Sequence, residues 1–127
     1  MSNKIIIGVV GTRKWDDWGR FSEVIEAIVE EFELLAYDIE FVSGGASSGA
    51  DSLIRDWAEQ EHYELKEHRP QYELYGRYEA PKRRNTLIVD DCDLLVAFWN
   101  GRSRGTKDSI DKAKAKGKEV RIIPIRI

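Results

Sequence analysis

Hydrophobic positions run along this chain in two rhythms. Residues 5–10, Ile5-Ile6-Ile7-Gly8-Val9-Val10, are apolar without a break, which predicts a strand covered on both faces as in a parallel sheet. Apolar residues then recur at Phe21, Val24, Ile25, Ile28, Val29, Phe32, Leu35 and Ala36. Steps of three and four mark one face of a helix, with Glu23, Glu26, Glu30 and Glu33 turned outward. Residues 39–42 predict a second strand, and Leu53, Ile54, Trp57 and Ala58 share the face of a second helix. Residues 63–68 predict a third strand, too polar for a sheet centre. Residues 69–78 carry three tyrosines and no apolar stripe, and are expected to form a loop or lid in which Tyr72, Tyr75 and Tyr78 could cover a ring. Pro81 suits a helix start, so a third helix is expected from there to about residue 90. Residues 93–98 predict a fourth strand, 106–116 a basic helix stopped at Gly117, and 119–127 a last strand whose Pro124 suggests a sheet edge.

Strand and helix alternate to the end of the chain, which argues for a parallel sheet between two helical layers. The first and fourth strands are the most apolar and belong at the centre; the third and fifth belong at the edges. The expectation is one Rossmann-like three-layer α/β domain over residues 1–127, with a five-stranded parallel sheet in the order 3-2-1-4-5 and a ligand crevice between strands one and four.

Composition narrows the function. The chain has 127 residues, 34% charged and 42% hydrophobic, with a net charge of −3. That balance is globular and argues against a dedicated duplex-DNA binder. No apolar run reaches the ~20 residues of a membrane span, and the start shows no leader pattern, so a cytoplasmic protein without membrane partners is expected. One cysteine, Cys92, excludes an internal disulfide, and with two histidines it makes a poor metal set; no metal or cofactor is expected. His62 and His68 are expected at the surface. The acidic first helix and the basic fourth could meet across subunits of a homo-oligomer.

The chemistry falls in loops that follow strands. Residues 43–49 are rich in glycine and serine and run into a helix start, where free N–H groups and the helix dipole favour an anion. This predicts a phosphate cradle from Ser43, Gly44, Gly45, Ala46 and Gly49; a tight turn is the plain alternative. Ser48 and Asp51 have capping-box spacing. Gly105 and Thr106 open another helix after Ser103, as a second anion site or as a simple cap. Gly11, Thr12 and Arg13 follow strand one. Arg13 offers a guanidinium to phosphate and Trp15 a ring to a base, with a surface or packing role as the plain alternative for each. Arg84 and Asn85 lie near the third helix start, where taken alone they read as a solvated face, and Trp99 follows strand four, as pocket wall or core.

Taken in order, Gly11-Thr12-Arg13 with Trp15, Ser43-Gly44-Gly45-Ala46 with Gly49-Ala50-Asp51, Arg84-Asn85, and Trp99 through Ser103, Gly105 and Thr106 resemble the SLOG superfamily of Rossmann-like nucleotide-binding domains, in its YspA-like branch. The resemblance implies a nucleotide or nucleotide-derived ligand, such as an ADP-ribose relative, and makes Arg84 and Asn85 site residues. The wider superfamily includes phosphoribohydrolases, and similarly organised deoxyribosyltransferases exist, so N-glycosidic cleavage is the alternative. In the phosphoribohydrolases a glutamate lies three residues after the motif threonine; here that place is Ser109. Asp51 and Asp108, with Asp111 a turn further along the fourth helix, are the carboxylates left as catalytic candidates. A further alternative is single-stranded DNA binding by Arg83, Arg84, Arg102 and Arg104, with Trp15 and Trp99 as stacking platforms.

Overall fold

A computed structural model describes residues 3–127. Met1 and Ser2, on which the expectation about a leader partly rests, lie outside the described residues. The elements are β1 (Asn3–Gly11), α1 (Trp18–Leu34), β2 (Tyr37–Ser43), α2 (Gly49–Glu61), β3 (Glu64–Glu67), α3 (Tyr72–Asp91), β4 (Leu94–Trp99), α4 (Arg104–Ala115) and β5 (Glu119–Pro124). All strand pairs are parallel, and the order is β3-β2-β1-β4-β5. The fold is the expected Rossmann-like α/β sheet, with its reversal of strand order between β1 and β4.

Alternation along β1 divides the interior in two. Ile5, Ile7 and Val9 face α1 and α2, where they meet Phe21, Ile25, Ile54 and Trp57. Val10 faces the other layer, with Ile88 and Val89 of α3 and Ile110 and Ala113 of α4. Gly8 lies on that second face because a Cβ there would stand 3.1 Å from both Cys92 Cβ and Leu95 Cδ1. Asp93 extends the β1–β4 ladder: its N–H donates to Ile6 O at 2.7 Å, and its carboxylate accepts from Ile6 N at 2.8 Å. None of the helices among the described residues is long and apolar enough to cross a membrane.

The structure corrects four expectations. Residues 72–78 are helical rather than a loop, and α3 starts nine residues before Pro81. The apolar stripe is missing because this first part of α3 packs on little: Tyr72, Leu74, Tyr75 and Tyr78 are all exposed. Gly76, at φ 79° and ψ 174°, breaks the helix and restarts it, so Pro81 falls soon after a new beginning. Ser48 caps α2 with its backbone only, and Asp51 turns away to accept from Ala46 N at 3.0 Å, so no capping box forms. His68 is mostly covered, with its ring on Asp91 at 2.5 Å and its backbone N–H on Ser43 O at 2.8 Å. Trp15 belongs to the core, as described below.

Candidate functional site

The loops after β1, β2 and β4 open on the same carboxyl edge, and with α3 they enclose a cleft of about 610 Å³. Three glycines allow the close packing that shapes it. A Cβ on Gly11 would stand 2.7 Å from Ala50 Cβ, so α2 reaches β1 only over a bare backbone. Gly49, at φ +70°, brings the start of α2 beneath Thr12 and Arg13; a Cβ there would lie 2.6 Å from Arg13 Cα and from Thr12 O. Gly44 makes room for Arg84, whose Nη1 would lie 2.4 Å from an added Cβ. The loop is closed onto β4 where Thr12 N donates to Phe98 O at 3.1 Å.

A chain of hydrogen bonds crosses the cleft floor from the β2 side to the β4 side. Arg84 Nη1 donates to Gly44 O at 2.8 Å, and Nε donates to Asn85 Oδ1 at 2.9 Å. Asn85 Nδ2 donates in turn to Asp108 Oδ2 at 3.1 Å and to Gly105 O at 3.3 Å. Both residues are buried, Arg84 to 9% exposure. Adjacent positions on α3 thus tie the two halves of the crevice together.

The electrostatics are lopsided. Arg13, Lys14, Arg84 and Arg102 line the cleft, against the single carboxylate of Asp51. Burial lowers the pKa of Arg84, Asp51 opposes that, and the nearby charge of Arg13 lowers it further. Burial raises the pKa of Asp51, while the Ala46 and Gly44 amides and the Arg84 and Arg55 charges work against the rise. Arg13 makes no hydrogen bond or ion pair among the described residues. Two guanidiniums therefore line one space that has one acid in its lining.

The cleft brings together Gly11, Thr12, Arg13, Gly44, Asp51, Arg84, Asn85, Ser103, Gly105 and Thr106 of the expected set. Gly45 and Ala46 line an adjoining cavity instead. Ser43 is fully buried behind the loop, with Oγ unpartnered, and Gly49 is a packing glycine. Thr12 Oγ1 is likewise buried without a partner. Trp15 is only 5% exposed; it stacks on Phe98 at 5.1 Å and tilts against Phe21 at 6.4 Å, so it has no face for a base. Trp99 is half-buried against the α3–α4 core, with Nε1 donating to Ser103 O at 3.0 Å. Trp15 therefore offers no open face for stacking on single-stranded DNA. Ser103 caps α4 by accepting from Thr106 N at 3.4 Å. Asp108 is held by Asn85 and by Lys112 at 2.8 Å, and Ser109 bonds back to Gly105 O at 3.5 Å.

The glycine loop differs in kind from the expected cradle. The amide of Ala46 is taken by the chain's own Asp51 carboxylate, so the open cationic space lies beside the loop, at Arg13 and Arg84. Sequence reasoning passed over Lys14 and Asn100 at the rim and Arg69 in the adjoining cavity. Their position within three residues of a strand end was the available signal.

Comparison with known proteins decides the family. The model of the YspA, cpYpsA-related SLOG family matches residues 5–75, more than half of the chain. The chain belongs to this family. That match takes in the loops after β1 and β2 and ends within α3, before Arg84. A relative, the Gene 61 protein of Mycobacterium phage D29, is 30% identical over 114 residues, covering 86% of this SLOG-family chain and 88% of the phage protein. Among solved structures, homoserine dehydrogenase of S. aureus aligns with 96% of the chain at 14% identity and a TM-score of 0.43; the chain spans about a third (33%) of that enzyme's length.

Proposed function

We propose that residues 1–127 act as one nucleotide-binding unit. It takes a nucleotide or nucleotide-derived ligand, ADP-ribose relatives included, at the carboxyl edge of the sheet, as a sensor or sequestering module. The observation that carries this reading is the pair Arg13 and Arg84, two guanidiniums on one cleft with Asp51 as its only acidic lining residue. A phosphoryl group between them would relieve their mutual repulsion and accept several charge-assisted hydrogen bonds. The start of α4 at Gly105 and Thr106 stands on the same cleft and favours an anion. Membership of a SLOG family is consistent with a nucleotide-related ligand. Native mass spectrometry of freshly purified protein should show a retained nucleotide mass or, after its removal, binding of an added nucleotide. Protein that appears only at its bare mass, with no heat on titration of nucleotides, would refute the proposal.

Asp51 supports a second reading, N-glycosidic cleavage. It is a carboxylate at the cleft whose burial raises its pKa, beside a cationic seat for a phosphate. Asp108 is less suited, because Asn85 and Lys112 both occupy its Oδ2. Ser109 offers no carboxylate, and the expected result is no base release above background from nucleoside monophosphates at neutral pH. Chromatography of overnight reactions measures it; turnover lost in Asp51→Asn, with binding retained, would establish the enzyme instead.

A further inference from the structure

The main cleft has no aromatic residue in its lining: Trp15 lies in the core, and Trp99 packs half-buried against the α3–α4 layer. A second cavity of about 390 Å³ adjoins it and shares Arg13, Ser48 and Arg84 as a common wall. Its far side is Arg69, Pro70 and Tyr72. We infer that this second cavity is the ring-binding half of the site: a ligand with its phosphoryl group at Arg13 and Arg84 lays a flat heterocycle on Tyr72. The inference rests on the phosphate seat proposed above and names the ligand class as a phosphorylated nucleoside bound at both ends.

The three tyrosines of α3 are not equivalent. The guanidinium of Arg83 lies 4.2 Å over the Tyr75 ring, and that of Arg77 lies 5.5 Å from the Tyr78 ring. Tyr72 carries no such cation and stacks on no other ring among the described residues, and it is 48% exposed. It lines the second cavity together with Arg84, which places the ring beside the phosphate seat. Polar groups for the edge of a heterocycle are at hand. The Arg69 side chain is 71% exposed, and its ion pair with Glu67 is long, at 3.9 Å. The other Glu67 oxygen is held by Arg55. Ser47 and Ser48 add hydroxyls. Gly45 is part of the same design, since a Cβ there would press 2.8 Å from Arg69 Cγ.

The test separates ring from phosphate. Calorimetry on the full chain compares the 5′-monophosphates of adenosine, guanosine, cytidine and uridine with ribose 5-phosphate, which lacks the ring. The wild-type protein should prefer at least one nucleotide over ribose 5-phosphate by about 10-fold or more, the scale of one base stacked on an aromatic side chain. In Tyr72→Ala this ratio should fall to within about 2-fold, while Tyr72→Trp restores it; circular dichroism confirms that each variant is folded. Arg69→Gln, which leaves the tyrosine in place, should lower the ratio without abolishing it. A Tyr72→Ala ratio equal to wild type would overturn the inference, as would a wild-type protein that binds nucleotides and ribose 5-phosphate equally; both results leave the phosphate seat standing. Wild-type protein that binds none of the five compounds removes the phosphate seat and the ring cavity together.

Discussion

Gly44→Ala is the sharpest perturbation of the cleft, because it adds one methyl group against a buried guanidinium. The new Cβ would lie 2.4 Å from Arg84 Nη1, 2.9 Å from Arg84 Cζ and 2.9 Å from Asp51 Oδ2. All three are below contact distance, and Gly44 does not need the left-handed backbone that would make any side chain strained. The cost therefore comes from displacing Arg84. Its bond to Gly44 O would break while the guanidinium stays largely covered, a loss of about 2–3 kcal/mol for a charged donor. The smaller entropy of the unfolded alanine chain returns about 0.5–1 kcal/mol. A net loss of about 1–2.5 kcal/mol corresponds to a drop of roughly 4–9 °C in Tm for a chain of this size. Nucleotide affinity should fall about 10-fold or more, or about 1.4 kcal/mol, since the displaced group is half of the phosphate seat. Thermal unfolding and calorimetry on the same preparation read both quantities. A variant with wild-type Tm and wild-type affinity would show that Arg84 has slack around it and that the cleft does not depend on its position.

Other substitutions probe neighbouring features. Gly105→Ala, where an added Cβ meets nothing within 4 Å, should raise stability by about 0.5 kcal/mol as a helix-favouring change, read by denaturant unfolding. Burial raises the folded-state pKa of Asp51 above its unfolded value, so the folded chain binds the extra proton and stability from this group declines as pH rises above about 4; the Tm of Asp51→Asn relative to wild type should therefore climb between pH 4 and pH 7, and a flat difference would contradict it. Burial pushes the Cys92 thiol up to about 11, so a thiol reagent at pH 8 should modify it only at the rate of unfolding. Arg13→Gln should weaken nucleotide binding about 10-fold with little change in Tm, because Arg13 is exposed and makes no bond within the fold.

How much of this was legible in the sequence depended on what each residue answers to. Strand order was legible because β1 and β4 are covered on both faces and read as unbroken apolar runs, whereas Glu64 and Lys66 mark β3 as an edge. The first part of α3 was not, because a helix that packs on little leaves no periodic trace; only the Gly76 break hints at where it restarts. Trp15 misled for a different reason. Lys14, Asp16 and Asp17 around it suggest an exposed loop, and only the fold brings Phe98 and Phe21 against the indole. Asp51 carried the spacing of a cap, yet the same spacing lets its carboxylate reach back to Ala46, and the choice depends on loop geometry set by Gly45 and Gly49 at positive φ. Arg84 and Asn85 entered through resemblance alone; a buried arginine has no local sequence signature, since its partner Gly44 lies forty residues earlier in the chain.

The bridge made by Arg84 and Asn85 limits where the length of the chain can change. The two side chains serve opposite halves of the crevice from consecutive positions, so their directions depend on helical phase. One residue inserted between Gly76 and Arg84 would turn everything that follows by about 100° relative to the preceding turns. Either the bridge or the packing of Ile88 and Val89 would then lose its place. Gly76 is the natural point of relief: its backbone already departs from the helix, and nothing lies within 4 Å of the Cβ it lacks. Added or deleted residues should be tolerated at that break and rejected between it and Cys92, which makes Gly76 the place to graft a tag, a reporter or a longer aromatic wall onto this fold.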